Sequence, residues 1–98
     1  MNQSWMMTDA PLGPLPEARN FELVETPMPK PAANQMLTRK IYISHDPYQW
    51  WYKLNGSEAR GAPCHARTIS HVLESRWDAY KPGDIVFNTN GWTRFGLT

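Results

Sequence analysis

The sequence predicts a mainly β domain, arranged as a small barrel or sandwich of five or six short strands. Nine prolines and six glycines interrupt its 98 residues, which leaves little room for long helices. Between these breaks, short segments alternate apolar and polar residues, as half-buried strands do. A chain of this length supports one small hydrophobic core, so we expect a single domain over residues 1–98.

The first half of the chain contains three predicted strands. A short strand is possible at residues 4–8, and a connection with three prolines follows at residues 10–20. The segment FELVET, residues 21–26, alternates Phe21 and Leu23 against more polar neighbours. QMLTRKIYIS, residues 35–44, is the clearest strand, with Leu37, Ile41 and Ile43 predicted on one face.

The second half adds three more strands. RTISHVLES, residues 67–75, should place Ile69 and Leu73 on one face and Val72 on the other. YKPGD is typical of a type II turn, with proline at its second position and glycine at its third. IVFNT and WTRFGLT, residues 85–89 and 92–98, read as the last two strands, and Asn-Gly between them is a hairpin signal.

Composition excludes several classes of function. Ten Lys or Arg against nine Asp or Glu give a formal charge of +1, so the chain lacks the basic surplus of a nucleic-acid-binding protein. A single cysteine allows no intrachain disulfide, and the sequence shows neither a signal peptide nor an apolar run long enough to span a membrane. We therefore expect a cytoplasmic protein that binds neither nucleic acid nor membrane.

The densest aromatic segment is HDPYQWWY, residues 45–52. Proline disfavours helical backbone in the residue before it, so the segment should turn at Pro47 and project Tyr48 from the end of the long strand into a cleft. Alternatively, these aromatics close one end of the core. Four aromatics in five positions cannot all point inwards, so some should line a groove, contact a partner or face solvent.

Other kinds of site find less support in the sequence. Cys64, His65, His71 and His45 are suitable zinc donors, but they lack the spacing of a zinc site, and we expect no metal. A nucleophilic Cys64 would need a base and an orienting group, which its sequence neighbour His65 does not establish. Neither GxGxxG nor GxxxxGK occurs, so an ordinary nucleotide-binding loop is not expected.

Four segments, FELVETPMPKP, KIYISHDPY, LESRWDAYKPGDIVF and GWTRF, together resemble the N-terminal domain of the zinc-independent medium-chain dehydrogenase/reductase superfamily. The branch concerned contains leukotriene hydroxydehydrogenase/prostaglandin reductase, plant double-bond reductases and curcumin reductase-like enzymes. The resemblance implies a GroES-like, partly open β-barrel with short helical turns. It also implies NADPH-dependent reduction of α,β-unsaturated ketones and aldehydes, for which relatives use a following Rossmann domain that these residues lack.

The resemblance assigns roles to four residues. Tyr48 matches the tyrosine of the family's DPY turn, which faces substrate, and Pro47 borders the nicotinamide. Trp50 stands where relatives carry a charged residue, and Arg67 stands where some plant relatives have a second pocket tyrosine. The prediction is therefore substrate binding by Tyr48, Trp50 and Arg67, cofactor contact by Pro47, and no catalytic residue in this chain.

Two principal hypotheses of function follow. In the first, this is the substrate-side domain of an enone or alkenal reductase, stand-alone or truncated, which binds NADPH tightly only when a separate Rossmann-domain chain completes it. In the second, it is a non-enzymatic binding or assembly module that associates with itself or with a partner. A third hypothesis is a carbohydrate or small-ligand binder that uses the WWY surface.

Overall fold

The computed structural model describes residues 1–58 and 60–98. Within them the chain forms six strands, one 3-10 turn and one α-helix. The elements in order are β1 (Asn2–Met7), the 3-10 turn (Ala18–Asn20), β2 (Phe21–Thr26), β3 (Met36–Ile43), α1 (Tyr48–Leu54), β4 (Thr68–Ser75), β5 (Ile85–Asn88) and β6 (Phe95–Leu97). The prediction of a mainly β fold is confirmed, and no described helix is long and apolar enough to cross a membrane.

The strands form two antiparallel sheets that do not close on each other. One sheet pairs β1 with β2, and the other has the order β5-β4-β3-β6. A bridge between Ser4 and Thr93 links the two sheets. The Asn2 side chain extends the link, donating to the carbonyl of Phe95 at 2.9 Å and accepting from its N–H at 3.0 Å. The result is the partly open barrel that the family resemblance implied.

The interior between the sheets contains hydroxyl and amide groups as well as apolar side chains. Thr68, Ser70 and Val72 of β4 are buried, whereas Ile69 is half-buried and Leu73 is 43% exposed, so Val72 lies on the opposite face from Ile69 and Leu73, as predicted, and the face of Val72 is the inner one. Hydrogen bonds among these polar groups offset the cost of burying them. The Thr68 hydroxyl donates to the Asn88 side chain, whose amide donates to Ser70 Oγ at 3.2 Å.

Irregular pairing changed the predicted faces of β3. Leu37 is buried, but Ile41 is 36% exposed although the two residues share a parity. The pairing with β4 shifts at Leu37/Thr38 and again at Lys40/Tyr42. Because each such bulge adds a residue to one strand, side chains beyond it no longer follow the simple alternation.

The two predicted turns had different outcomes. Gly83 has a φ of 94°, and the N–H of Asp84 donates to the carbonyl of Lys81 at 3.1 Å, which confirms the Pro-Gly turn. The Asn-Gly hairpin is wrong, because β5 and β6 lie at opposite edges of the sheet. Gly91 instead crosses the backbone of Cys64, where a Cβ atom would lie 2.1 Å from the carbonyl oxygen.

The aromatic segment forms a helix, which the sequence analysis did not predict. Strand β3 ends at Ile43, and α1 begins at Tyr48 immediately after Pro47, whose φ of −58° suits the first helical turn. At the other end, Gly56 adopts a φ of 78°, and its N–H donates to the carbonyl of Lys53. Ser57 donates to Tyr52, which completes a Schellman cap.

Candidate functional site

An apolar cavity of about 850 Å³ lies beside helix α1 and opens to solvent. Pro47, Trp50 and Lys53 bring the helix into its wall, and Trp5 of β1 and Trp92 lie in the wall as well. The volume is in the range of small-molecule sites. The aromatic segment therefore lines a cavity through part of its length, as the sequence suggested.

Trp50 connects the helix to the proline-rich segment. Its indole N–H donates to the carbonyl of Gly13 at 3.2 Å, and its ring lies 6.2 Å from that of Phe21. Leu15 and Pro16 then contribute to the same cavity. The segment that the sequence predicted as a surface connection thus forms a wall of the cavity.

A buried ion pair lies at the C-terminal end of the helix. Lys53 Nζ lies 3.0 Å from Glu58 Oε1, and the two side chains are 5% and 6% exposed. Lys53 also donates to the carbonyl of Gln49 at 3.3 Å. Within the described part of the chain the second Glu58 oxygen has no partner, so the attraction to Lys53 is what offsets the cost of burying this carboxylate.

Cys64 lines the cavity, and its thiol is buried and free. Burial raises its pKa to about 11, and the nearby Lys53 ammonium lowers it by less than burial raises it. The His65 ring packs against Tyr48 and Tyr52, and His65 is not among the groups that shift the pKa of the thiol. The thiolate is the nucleophilic form of cysteine, so this environment does not support the alternative of a catalytic Cys64.

A second group of side chains surrounds Tyr48. Its hydroxyl lies 3.4 Å from His65 Nε2, and the Arg67 guanidinium carbon lies 5.6 Å from the centre of its ring. Tyr52 packs edge-on against Tyr48 with ring centres 5.1 Å apart. We refer to Tyr48, Tyr52, His65 and Arg67 as the tyrosine cluster. It offers a phenol, an imidazole and a fixed positive charge to a polar ligand atom.

The four residues that the sequence analysis selected fall into two adjacent groups. Pro47 and Trp50 line the cavity, whereas Tyr48 and Arg67 belong to the tyrosine cluster, and Tyr48 is not among the described residues that line the cavity. Successive helical residues are rotated by about 100°, which places Tyr48 and Trp50 on different sides of α1. Helix α1 therefore separates two surfaces that were predicted as one.

Tyr52, His65, Lys53 and Trp92 were not among the site residues predicted from the sequence. Tyr48 with Tyr52 and Gln49 with Lys53 have the i, i+4 spacing of a helix, so the missed helix also hid these pairs. His65 and Trp92 come from distant segments, and nothing in the local pattern marks them.

The described histidines, cysteine and carboxylates form no group of three that could hold a metal ion. His45, one of the zinc donors considered from the sequence, packs its ring edge-on against Trp92, with ring centres 4.9 Å apart.

Comparison with known proteins identifies the family. A family model described as the N-terminal domain of oxidoreductase matches residues 3–97. The chain belongs to this family. It is an N-terminal, GroES-like domain of the medium-chain dehydrogenase/reductase superfamily, as the sequence motifs predicted.

Individual relatives of this N-terminal domain are reductases. The chain is 31% identical to NADPH-dependent curcumin reductase of Escherichia coli, over 99% of its own length and 29% of the relative's. It is 30% identical to the NADP(+)-dependent 2-alkenal reductase of Nicotiana tabacum, over 66% of its length and 21% of the relative's.

The fold agrees with a solved structure. CurA from Vibrio vulnificus superposes with a TM-score of 0.83 at 27% identity, and the match covers the whole chain and 30% of CurA. A structure of CurA in complex with NADPH matches with a TM-score of 0.81. The oxidoreductase N-terminal domain described here therefore spans less than a third of the length of these relatives.

Proposed function

We propose that this domain forms the substrate side of the active-site cleft in an NADPH-dependent reductase of α,β-unsaturated aldehydes and ketones. The observation that carries the proposal is the position of the Tyr48 hydroxyl, next to His65 and Arg67, in a domain whose relatives are NADPH-dependent reductases. We expect no catalysis by these 98 residues alone.

The tyrosine cluster suits the acceptor half of this chemistry. Reduction of an enone places negative charge on the carbonyl oxygen in the transition state, and a positioned hydroxyl that donates to this oxygen lowers the barrier. Tyr48 supplies the hydroxyl, His65 Nε2 lies within 3.4 Å to exchange a proton with it, and Arg67 adds positive charge near the ring.

The nicotinamide end of the cofactor is the part that this domain can contact. NADPH, when bound, supplies the hydride, and the apolar ring of Pro47, directly before Tyr48 at the start of α1, suits its nicotinamide ring. The described glycines with positive φ lie apart from one another in sequence and do not form a phosphate-binding loop. We therefore assign the phosphates to a Rossmann domain, in the same chain or in a partner, and the complete enzyme to the cytoplasm.

A chimaera tests this assignment. The 98 residues replace the matching N-terminal domain of the E. coli curcumin reductase, and curcumin-dependent loss of NADPH absorbance is measured. We expect activity in the chimaera, and Tyr48→Phe should lower kcat/KM roughly 100- to 1,000-fold through the lost donor. Tyr42→Phe is the matched control, because Tyr42 lies on β3 and is 70% exposed.

Two results would overturn the proposal. One is a folded chimaera that binds NADPH but reduces neither curcumin nor a 2-alkenal. The other is full activity in Tyr48→Phe, which would remove the role of the hydroxyl.

A non-enzymatic assembly module is the second candidate. It is favoured by the exposure of Trp51 on α1 and of Ile85 and Phe87 on β5, at 62%, 63% and 62%. Self-association of the isolated chain in sedimentation experiments, lost in Phe87→Lys, would support it.

A further inference from the structure

A second, smaller cavity of about 330 Å³ adjoins the large one. Trp5 and Trp92 line both cavities, and the N–H of Trp5 donates to the carbonyl of Trp92 at 2.8 Å. Leu23 and Ile43 complete an apolar wall. The smaller cavity is thus built by β1, β2 and β3 and is distinct from the tyrosine cluster.

Lys40 is the amine of this cavity. Its Nζ donates to the Thr68 hydroxyl at 3.0 Å, and that hydroxyl is itself turned to Asn88 as a donor. The ion pairs found among the described residues are Arg19 with Glu17 and Lys53 with Glu58, so no carboxylate neutralises Lys40. The uncharged amine can keep its bond to Thr68 and still offer a lone pair to a ligand.

The charged surroundings of Lys40 are positive. From the segment before β6, Arg94 lines the same cavity, and its carbonyl accepts the backbone N–H of Lys40 at 2.8 Å. Strand β1 contributes the neutral Gln3, β2 contributes Leu23 and β4 contributes Thr68. An amine that lines an apolar pocket without a neutralising carboxylate is an activated nucleophile, which is the environment of Schiff-base lysines.

We propose that the smaller cavity is a second ligand site, in which Lys40 forms a Schiff base with a small apolar aldehyde. The Nζ lone pair attacks the carbonyl carbon, and the carbonyl π electrons move to oxygen, which takes up a proton. Loss of water from this carbinolamine then forms the C=N bond, and loss of the second amine proton leaves the neutral imine. No oxidant or reductant takes part, and water reverses the reaction.

Burial supports this role by lowering the pKa of Lys40 to about 8. At pH 7.5 about a quarter of Lys40 would then be uncharged, against roughly one in a thousand for a lysine with the ordinary pKa of 10.5. Lys30 and Lys81, both exposed, are the internal references.

Reductive trapping tests the proposal on the 98-residue chain. Hexanal is a suitable probe because it has no C=C bond to be reduced, so the result does not depend on the reductase activity. The chain is incubated with hexanal and cyanoborohydride at pH 7.5, and each lysine peptide is quantified by mass spectrometry. We expect Lys40 to be alkylated at least about tenfold faster than Lys30 or Lys81, with a rate that saturates with hexanal.

Two variants complete the test. Lys40→Arg keeps the positive charge and should abolish the saturable alkylation at position 40. Lys81→Arg should leave the alkylation rate of Lys40 unchanged. Alkylation of Lys40 no faster than that of Lys30 and Lys81, or without saturation, would overturn the proposal. The peptide map of the unmodified sequence decides this even if Lys40→Arg does not fold.

Discussion

Lys53 and Glu58 form an ion pair 3.0 Å long that is almost completely withdrawn from water. The pair joins the last turn of α1 to the segment that follows the helix, next to the buried Cys64. Such a pair constrains the local structure because removal of either residue leaves the other charge buried without a partner.

Removing one partner of this pair should be costly. Lys53→Met leaves the Glu58 carboxylate buried without compensation, and we expect the free energy of unfolding to fall by about 3–5 kcal/mol. The double variant Lys53→Met/Glu58→Leu should recover most of this loss in urea denaturation. Arg19→Ala, which breaks a surface pair, should cost less than about 1 kcal/mol. Additive effects in the double variant would contradict the coupling.

The close approach of Gly91 to the Cys64 backbone predicts that Gly91→Ala lowers stability much more than Gly83→Ala does. Gly91→Ala combines a positive φ with a Cβ only 2.1 Å from the Cys64 carbonyl, and should lower the free energy of unfolding by at least about 3 kcal/mol. Gly83→Ala has the same kind of backbone but open space, and should cost about 1–2 kcal/mol. Thermal unfolding of both variants measures the difference, and equal losses would count against the close crossing.

Trp50 should hold the proline-rich segment through its indole N–H. Trp50→Phe keeps an aromatic ring but loses the bond to Gly13, so stability should fall by about 0.5–1.5 kcal/mol. Limited proteolysis should show faster cleavage within residues 10–20. Trp51→Phe is the matched control because Trp51 is 62% exposed, and unchanged proteolysis in both variants would argue against the contact.

The thiol of Cys64 should resist alkylation in the folded chain. A pKa raised from 9.0 to about 11 lowers the thiolate fraction near neutral pH roughly 100-fold, and burial limits access further. Iodoacetamide at pH 8 should therefore react at least about 100-fold faster in urea than in buffer. Similar rates in the two solutions would show that the thiol is accessible.

The lowered pKa of Lys40 predicts a pH dependence of stability. Between pH 8 and 10.5 the unfolded chain holds a proton on Lys40 that the folded chain has released, so this residue makes the folded state more stable as the pH rises. Lys40→Met removes the buried charge and should be more stable than the parent at pH 7. That advantage should shrink by pH 9.5 in urea titrations, and a constant difference would contradict the shift.

The sequence predicted the fold class, five of the strands to within about two residues and the Pro82-Gly83 turn, because alternation and proline-glycine turns are local properties. It also predicted the family, which the comparisons confirm. It missed α1 because aromatic residues favour strands by propensity, although Pro47 and Gly56 stood at the positions that start and end a helix.

The site was harder to predict because distant segments build it. Tyr48 meets His65 across 17 positions of sequence, and Trp50 meets Gly13 across 37. The Asn-Gly hairpin failed for the same reason, since Gly91 is required by contact with Cys64 rather than by a local turn. Local pattern supplies the elements of this fold, and tertiary contacts decide which side chains converge.

The bonds between Asn2 and Phe95 also have a consequence for synthesis. The first strand acquires its partners near residues 93–95 only after almost the entire domain has been translated. Until those residues leave the ribosome, the interior polar groups of β1 have water in place of their native partners. Folding during translation should therefore be completed in one late step, and a chain arrested at residue 90 should remain open to proteases.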